Sequence, residues 1–252
     1  MSILSGLKNS VAFLTVIPVG MDEDGIVQAA KYMPSFPIIG AIIGFASGIV
    51  VWTLHGFLPS LIVGILGLGF ILLLTGVHHT DGLLDFGDAA MFRGSPEEKM
   101  RVMRDQQTGA AGLSLGLVVL LTTAFSIAAL DRSIVIQTLA ASEASAKFAM
   151  VFQAWAGESA RKGLNTPFVE AMHGRWRRLR LASAFGLLLA TSVIGLQIVG
   201  VVVTLAGLLV AATMLMISKR QFKGITGDVM GATNELTRLA SLLLVLVVAE
   251  WV

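Results

Sequence analysis

Long apolar runs alternate with shorter polar stretches along the whole chain, and most of the runs are close to the roughly 20 residues that an α-helix needs to cross a bilayer. The pattern predicts an all-α fold, a polytopic membrane helical bundle of about seven transmembrane helices that forms a single domain over residues 1–252. The predicted spans are Pro37 to Gly56, Ser60 to Val77, Leu113 to Leu130, Ile134 to Trp155, Leu181 to Leu196, Ile198 to Ile217 and Leu236 to Val252.

The composition supports a chain that lies in the lipid bilayer. Hydrophobic residues make up 55% and charged residues 13%, whereas in soluble domains about a quarter of the residues are charged. The chain has no cysteine, which excludes disulfides, thiolate metal sites and a cysteine nucleophile. No feature indicates a nucleic-acid partner, and the sequence leaves the oligomeric state open.

Seven spans place all the longer polar stretches on one side of the membrane. These stretches carry most of the lysines and arginines, whereas the turns on the other side carry Arg132. By the positive-inside rule we expect a multi-pass protein of the cell (inner) membrane with its active site facing the cytoplasm. The four stretches are Met21 to Ser35, His78 to Gly112, Ala156 to Arg180 and Ser218 to Glu235.

Three carboxylates follow the second apolar run. Asp81, Asp85 and Asp88 have the spacing i, i+4 and i+7, which on a helix places them within an arc of roughly 60° on one face. They would repel one another unless a cation were bound, and oxygen ligands at this spacing suit one or two divalent ions, Mg²⁺ or Mn²⁺. The alternative is a polar helix cap, or pairing with basic residues of the same loop.

Two further candidates flank this helix. His79 lies two residues before Asp81 and is a candidate to contact a phosphate or to position an attacking hydroxyl. Asp105 precedes a turn containing Gly109 that leads directly into the next span. Between them, Ser95 to Glu98 have the N-cap, proline and capping-box order that begins a short amphipathic helix.

A second polar block precedes the last span and combines glycines, a threonine and carboxylates. This composition favours close approach of the backbone to a ligand, although packing of helices through small residues also explains the glycines. In the fourth span, Glu143 and Lys147 have the spacing i and i+4, which predicts either a structural salt bridge or a residue that lines the active-site cavity. The candidate substrate-binding residues are Gly109, Lys147, Thr226, Gly227, Asp228, Asn234 and Glu235.

These motifs, in this order, resemble those of the cobalamin synthase family, the adenosylcobinamide-GDP ribazoletransferases. The resemblance covers nearly the whole chain, from Phe13 to Val19 and Phe36 to Gly40, through the carboxylate helix, to Met103 to Asp105 and Gly224 to Asp228. The sequence departs from many members at Val16, where they have arginine, and at Gln106 and Gln107 and at Ala146 and Lys147, where they have Ser-Arg.

The resemblance implies a membrane-bound transferase of substituted phosphate groups in cobalamin biosynthesis. It implies that α-ribazole, or α-ribazole 5'-phosphate, is joined through its ribose to the phosphate attached to cobinamide in adenosylcobinamide-GDP, and that GMP leaves. We expect Asp81, Asp85, Asp88 and Asp105 to hold Mg²⁺ against the diphosphate. One of these carboxylates or His79 would accept the proton of the attacking hydroxyl.

Two other functions stay open from the sequence alone. CDP-alcohol phosphotransferases also use aspartate-rich, metal-binding helices at the membrane surface, but Leu84 and Asp85 replace the Ala-Arg of their usual motif. A cation-coupled transporter would also need intramembrane carboxylates. Transport favours acids near the middle of the bilayer and internal repeats, whereas the acids here cluster at one surface.

Overall fold

The computed structural model describes residues 3–248, which form twelve α-helices. A single turn of 3₁₀-helix, Met33–Ser35, joins the second helix to the third. In chain order the helices are α1 (Ile3–Leu14), α2 (Gly25–Lys31), α3 (Phe36–Leu54), α4 (Ser60–Thr75), α5 (His78–Met91), α6 (Pro96–Val102), α7 (Ala110–Ala129), α8 (Val135–Ala156), α9 (Thr166–Met172), α10 (Arg177–Leu196), α11 (Ile198–Phe222) and α12 (Gly227–Val248).

Within residues 3–248, five helical segments are long and apolar enough to cross a membrane, namely α3 with the preceding turn, α7, α10, α11 and α12. The pair α4 and α5 passes the same test when taken together, which gives six. The two helices meet at 97°, so α5 runs across the end of α4. The bend falls at Gly76 and Val77, which have φ values of 69° and 61°, and Val77 is where the sequence predicted the second span to end.

The count differs from the seven expected because α4 passes the test only together with α5 and because α8 does not pass it. This helix has 22 residues, but Glu143 and Lys147 lower its hydropathy. It packs against α3, α10, α11 and α12, and most of its residues are buried. Because protein rather than lipid surrounds it, α8 carries polar side chains that a lipid-facing helix would exclude.

A stripe of glycines lets α3 approach α8 closely. Gly40, Gly44 and Gly48 have the spacing i, i+4 and i+8 and lie on one face of α3. A Cβ atom on Gly44 would lie 2.1 Å from the Leu139 carbonyl oxygen, and one on Gly40 would lie 2.4 Å from that of Glu143. Small residues of this kind are a common means of packing helices within membranes.

The four polar stretches meet at one end of the bundle, as the sequence predicted. The Lys99 Nζ atom donates to Gln221 Oε1 at 2.6 Å, which joins α6 to the end of α11. The backbone N–H of Ala160 donates to the Ile225 carbonyl at 2.9 Å, which joins the α8–α9 loop to the segment before α12. Helix α2 packs against α9 and brings the first stretch to the same end.

Helix boundaries differ most in the last helix. Helix α12 begins at Gly227, nine residues before the predicted start at Leu236, so the Thr-Gly-Asp block forms its first turn. Its predicted end at Val252 lies outside the described residues. The short helix after the carboxylates begins as predicted, because Ser95 and Glu98 form a complete capping box.

Candidate active site

A cavity of about 480 Å³ opens at the end of the bundle where the polar stretches meet. The start of α5, the α8–α9 loop and the start of α12 supply its polar wall, and α1, α2 and α3 supply much of its apolar wall. The polar lining residues are His78, His79, Asp81, Arg161, Asn165, Thr226 and Asp228, and the aromatic ones are Phe13, Phe36 and Phe168. The cavity therefore has a charged side and an aromatic side.

A close crossing of α5 and α12 brings the two acidic motifs together. A Cβ atom on Gly82 would lie 2.9 Å from both the Cα and the carbonyl oxygen of Asp228. One on Gly231 would lie 3.0 Å from the carbonyl oxygen of His79. Close packing of α5 against α12 therefore accounts for these glycines, as the alternative from the sequence proposed. The same crossing places Asp81 and Asp228 in one wall of the cavity.

Asp81, Asp85, Asp88 and Asp228 form an acidic group at this end of the bundle. Asp85 lies within electrostatic range of the other three carboxylates. Within residues 3–248, none of the four has an ion pair with a lysine or arginine within 4.0 Å. Like charges held this close repel one another, so the group favours the binding of a cation.

Asp88 anchors the start of α7. Its two carboxylate oxygens accept hydrogen bonds from the backbone N–H groups of Gly109 at 2.7 Å and Gly112 at 2.8 Å. A carboxylate at the N-terminus of a helix satisfies free N–H groups and complements the helix dipole. A Cβ atom on Gly109 would lie 2.5 Å from Asp88 Oδ1, so Gly109 contacts this carboxylate rather than the cavity.

Asp105 is exposed in the α6–α7 loop. Its Oδ1 atom accepts a hydrogen bond from the Gln107 backbone N–H at 3.1 Å, a contact of the kind that stabilises a turn. Asp105 is at the same end of the bundle as α5 but does not line the cavity.

The two histidines at the start of α5 differ in burial. His78 is exposed, whereas His79 is only 7% exposed, and both line the cavity. The Nδ1 atom of His79 is buried and has no hydrogen-bond partner within the described part of the chain. The catalytic role that the sequence predicts for His79 stays a prediction.

Thr226 and Gly227 form the start of α12 at the cavity wall. The Thr226 hydroxyl accepts a hydrogen bond from the Val229 backbone N–H at 3.1 Å and so caps the helix. A Cβ atom on Gly227 would meet no atom within 4 Å, so the backbone here is open to a ligand in the cavity.

Lys147, Asn234 and Glu235 lie in a buried polar network rather than in the cavity wall. Lys147 Nζ donates to Glu143 Oε2 at 3.0 Å and to Asn234 Oδ1 at 2.8 Å. Arg238 forms ion pairs with both Glu143 and Glu235. The structural salt bridge between Glu143 and Lys147 that the sequence allowed is therefore present, and it extends to α12.

The donor atoms present fit Mg²⁺ only if the substrate completes the coordination. In residues 3–248, no three histidine, aspartate or glutamate side chains come close enough to one another to hold an ion. Mg²⁺ in proteins is usually bound by one or two carboxylates together with substrate phosphates. The carboxylates of Asp81 and Asp228 in the cavity wall, with Asp85 nearby, suit that mode of binding.

Arg161 is a candidate that sequence analysis missed. It lies in the α8–α9 loop, lines the cavity and is close enough to Asp228 to interact with it electrostatically. Its only sequence signal is a basic pair, Arg161 and Lys162, in a loop, which is typical of many solvent-exposed loops. The contact between this loop and Ile225 brings Arg161 to the cavity, and no local pattern predicts that contact.

Comparison with known proteins gives one consistent result. A family model described as cobalamin-5-phosphate synthase matches residues 6–247. A protein of Methanococcoides burtonii named adenosylcobinamide-GDP ribazoletransferase is 33% identical over 258 residues, which cover 98% of this chain and 93% of that protein. A protein of the same name from Thermococcus kodakarensis is 32% identical, with 97% of this chain and 99% of that protein covered. No solved structure matches the chain.

Proposed function

The chain belongs to the cobalamin-5-phosphate synthase family, and from this membership we propose that it is an adenosylcobinamide-GDP ribazoletransferase. In the proposed reaction a ribose hydroxyl oxygen of α-ribazole, or of α-ribazole 5'-phosphate, attacks the phosphorus attached to cobinamide. The bond from this phosphorus to the bridging oxygen breaks, and GMP leaves with the electron pair. The product is adenosylcobalamin or its 5'-phosphate.

One observation carries the proposal beyond the name of the family. A single cavity has a polar side and an aromatic side. The polar side contains two carboxylates, an arginine and a histidine whose ring nitrogen has no partner in the described structure. The polar side suits a diphosphate with its metal ion, and the aromatic side suits the flat base of α-ribazole. Adenosylcobinamide, with its corrin ring, amide side chains and adenosyl group, is larger than a cavity of about 480 Å³, so we propose that it stays outside the opening.

In this proposal Asp81 and Asp228 would hold Mg²⁺ together with the substrate diphosphate, and the nearby Asp85 would add negative charge. When bound, Mg²⁺ neutralises the charge that develops on the leaving phosphate. Asp88 acts indirectly, because it fixes the start of α7 next to α5. The role of Asp105 as a further oxygen ligand stays a prediction, supported by its place at the same end of the bundle.

The proposed acceptor of the hydroxyl proton is His79 or one of the carboxylates in the cavity wall. A neutral imidazole accepts a proton through the ring nitrogen that carries none, and Nδ1 of His79 has no competing partner in the described structure. Lys147, Asn234 and Glu235 do not contact the substrate in this account. They hold α8 and α12 in register behind His79 and so position the cavity wall.

We propose that the chain crosses the cell membrane seven times, with the cavity facing the cytoplasm. The seven crossings are the five segments that pass as single spans, together with α4 and the central α8. Helix α5 then lies at the membrane surface. The polar stretches that meet at the cavity end carry most of the lysines and arginines, which supports the orientation through the positive-inside rule.

The test of this function is GMP release by the purified protein in detergent. The substrates are adenosylcobinamide-GDP and α-ribazole, each also omitted in turn, with and without Mg²⁺. We expect GMP release that requires both the acceptor and Mg²⁺. A folded preparation that releases no GMP would contradict the proposal, and a CDP-alcohol substrate would then test the other phosphotransferase. Cation flux into proteoliposomes without GMP release would support a transporter.

A further inference from the structure

Arg161 is the only lysine or arginine among the described residues that line the cavity. The cavity also contains the carboxylates of Asp81 and Asp228, which by themselves repel a phosphate. A positive group on the protein would offset this repulsion, in addition to any metal ion. Arg161 is the residue in a position to supply it.

The guanidinium of Arg161 has spare hydrogen-bonding capacity. Its Nε atom is buried without a hydrogen-bond partner in the described part of the chain. Asp228 is close enough to interact with Arg161 electrostatically, yet within residues 3–248 no ion pair within 4.0 Å includes Arg161. A buried N–H group without an acceptor is unfavourable, so a ligand that supplies an acceptor gains binding energy there.

The loop that carries Arg161 is fixed to the segment before α12. The Ile225 backbone N–H donates to the Glu158 carbonyl at 2.8 Å, and the Ala160 N–H donates to the Ile225 carbonyl at 2.9 Å. The Asn165 side-chain amide also donates to the Ile225 carbonyl, at 3.0 Å. These contacts fix the backbone of the loop that carries Arg161 relative to the segment that leads into α12 and Asp228.

Other cations at this end of the bundle have partners outside the cavity. Lys99 contacts Gln221, Lys223 pairs with Glu97, and Arg104 donates to the Met100 carbonyl. Lys162, next to Arg161 in the sequence, is exposed and does not line the cavity.

We propose that Arg161 binds a phosphate group of the substrate in this cavity. The proposal rests on the proposed function and adds a binding residue to it. The planar guanidinium donates two parallel hydrogen bonds to phosphate oxygens, which a lysine ammonium does not reproduce. Two substrate groups share this chemistry, the diphosphate of adenosylcobinamide-GDP and the 5'-phosphate of α-ribazole 5'-phosphate.

The kinetic test compares Arg161→Gln and Arg161→Lys with the wild type and with the control Lys162→Gln, which removes one positive charge outside the cavity. For Arg161→Gln we expect kcat/KM for GMP release to fall about 10- to 100-fold, as for the loss of a charged hydrogen bond. Arg161→Lys should recover only part of this loss, and Lys162→Gln should equal the wild type. If Arg161→Gln matches Lys162→Gln in an active preparation, the proposal is wrong.

The choice of acceptor distinguishes the two phosphate sources. A loss with both α-ribazole and α-ribazole 5'-phosphate, together with a higher KM for adenosylcobinamide-GDP, assigns Arg161 to the diphosphate. A loss only with α-ribazole 5'-phosphate assigns it to the acceptor. Either result supports phosphate binding by Arg161.

A binding measurement separates this proposal from the proposed function. Inorganic pyrophosphate should raise the unfolding temperature of the wild type and of Lys162→Gln, but not that of Arg161→Gln. This readout needs no turnover, so it applies even if the protein releases no GMP. An equal rise in all three proteins would overturn the proposal, and similar unfolding temperatures without pyrophosphate would exclude a folding defect.

Discussion

The chain contains two groups of charged residues that the structure treats in opposite ways. In the buried network, Glu143, Lys147, Glu235 and Arg238 are each at most 1% exposed, and every charge has an oppositely charged partner. At the cavity, the carboxylates of Asp81 and Asp228 have no such ion pair within the described residues. A charge inside a membrane protein therefore indicates function mainly where the protein itself does not neutralise it.

The difference has a physical basis. A paired charge in a low-dielectric interior is costly to disturb, so it fixes how helices meet but has little capacity left for a ligand. Several like charges in an open cavity destabilise the protein without a ligand and are relieved by a cation or a complementary substrate. The first arrangement holds the bundle together, and the second provides a site for chemistry.

Removal of Arg238 should have the largest effect on stability. Arg238→Met leaves the carboxylates of Glu143 and Glu235 buried and less well compensated, which we expect to cost about 3–5 kcal/mol. Unfolding in detergent, followed by circular dichroism, measures this loss. The control is Arg220→Met, which changes an exposed arginine near the end of α11 and should leave the unfolding midpoint unchanged. Equal midpoints for the two variants would contradict a structural role for the network.

The crossing of α5 and α12 should be sensitive to a single methyl group. In Gly82→Ala the new Cβ atom meets the Asp228 backbone, and we expect a loss of about 1–3 kcal/mol from overpacking. Gly227→Ala is the matched control, because its Cβ atom meets open space. Thermal unfolding of the two variants in the same detergent gives the comparison. If Gly82→Ala is as stable as Gly227→Ala, the helices do not cross as closely as described.

An exposed ion pair should contribute least of all. Lys223 Nζ and Glu97 Oε1 are 2.6 Å apart, but the side chains are 65% and 67% exposed. Water and salt screen such pairs, so Lys223→Gln should not change the unfolding midpoint measurably. A clear destabilisation would show that the contact between α6 and the end of α11 depends on this pair.

The sequence predicted the class of fold and the acidic face of one helix, α5. Apolar runs of span length predicted the membrane helices, and the period of the helix placed Asp81 and Asp85 on one face. These predictions succeeded because each depends on residues within a few turns of one another.

The rest of the site depends on contacts between distant parts of the chain. Lys147 and Asn234 are 87 residues apart, and no local pattern indicates that they pair. Asp88 has the helical spacing expected of a metal ligand. Both of its carboxylate oxygens, however, accept hydrogen bonds from backbone N–H groups of the glycines at the start of α7. Arg161 reaches the cavity only because its loop pairs with Ile225. Periodicity predicts faces of helices, but it does not predict which charges become neutralised.

The most direct test of this account is the rate of GMP release by Asp81→Asn. This substitution keeps the size of a side chain in the cavity wall and removes one charge that has no ion pair in the described structure. We expect the rate to fall by about 100-fold or more, as when a group that stabilises developing charge is removed, with an unfolding midpoint at least as high as that of the wild type. A folded variant that releases GMP at the wild-type rate would contradict the claim that the cavity carboxylates perform the reaction.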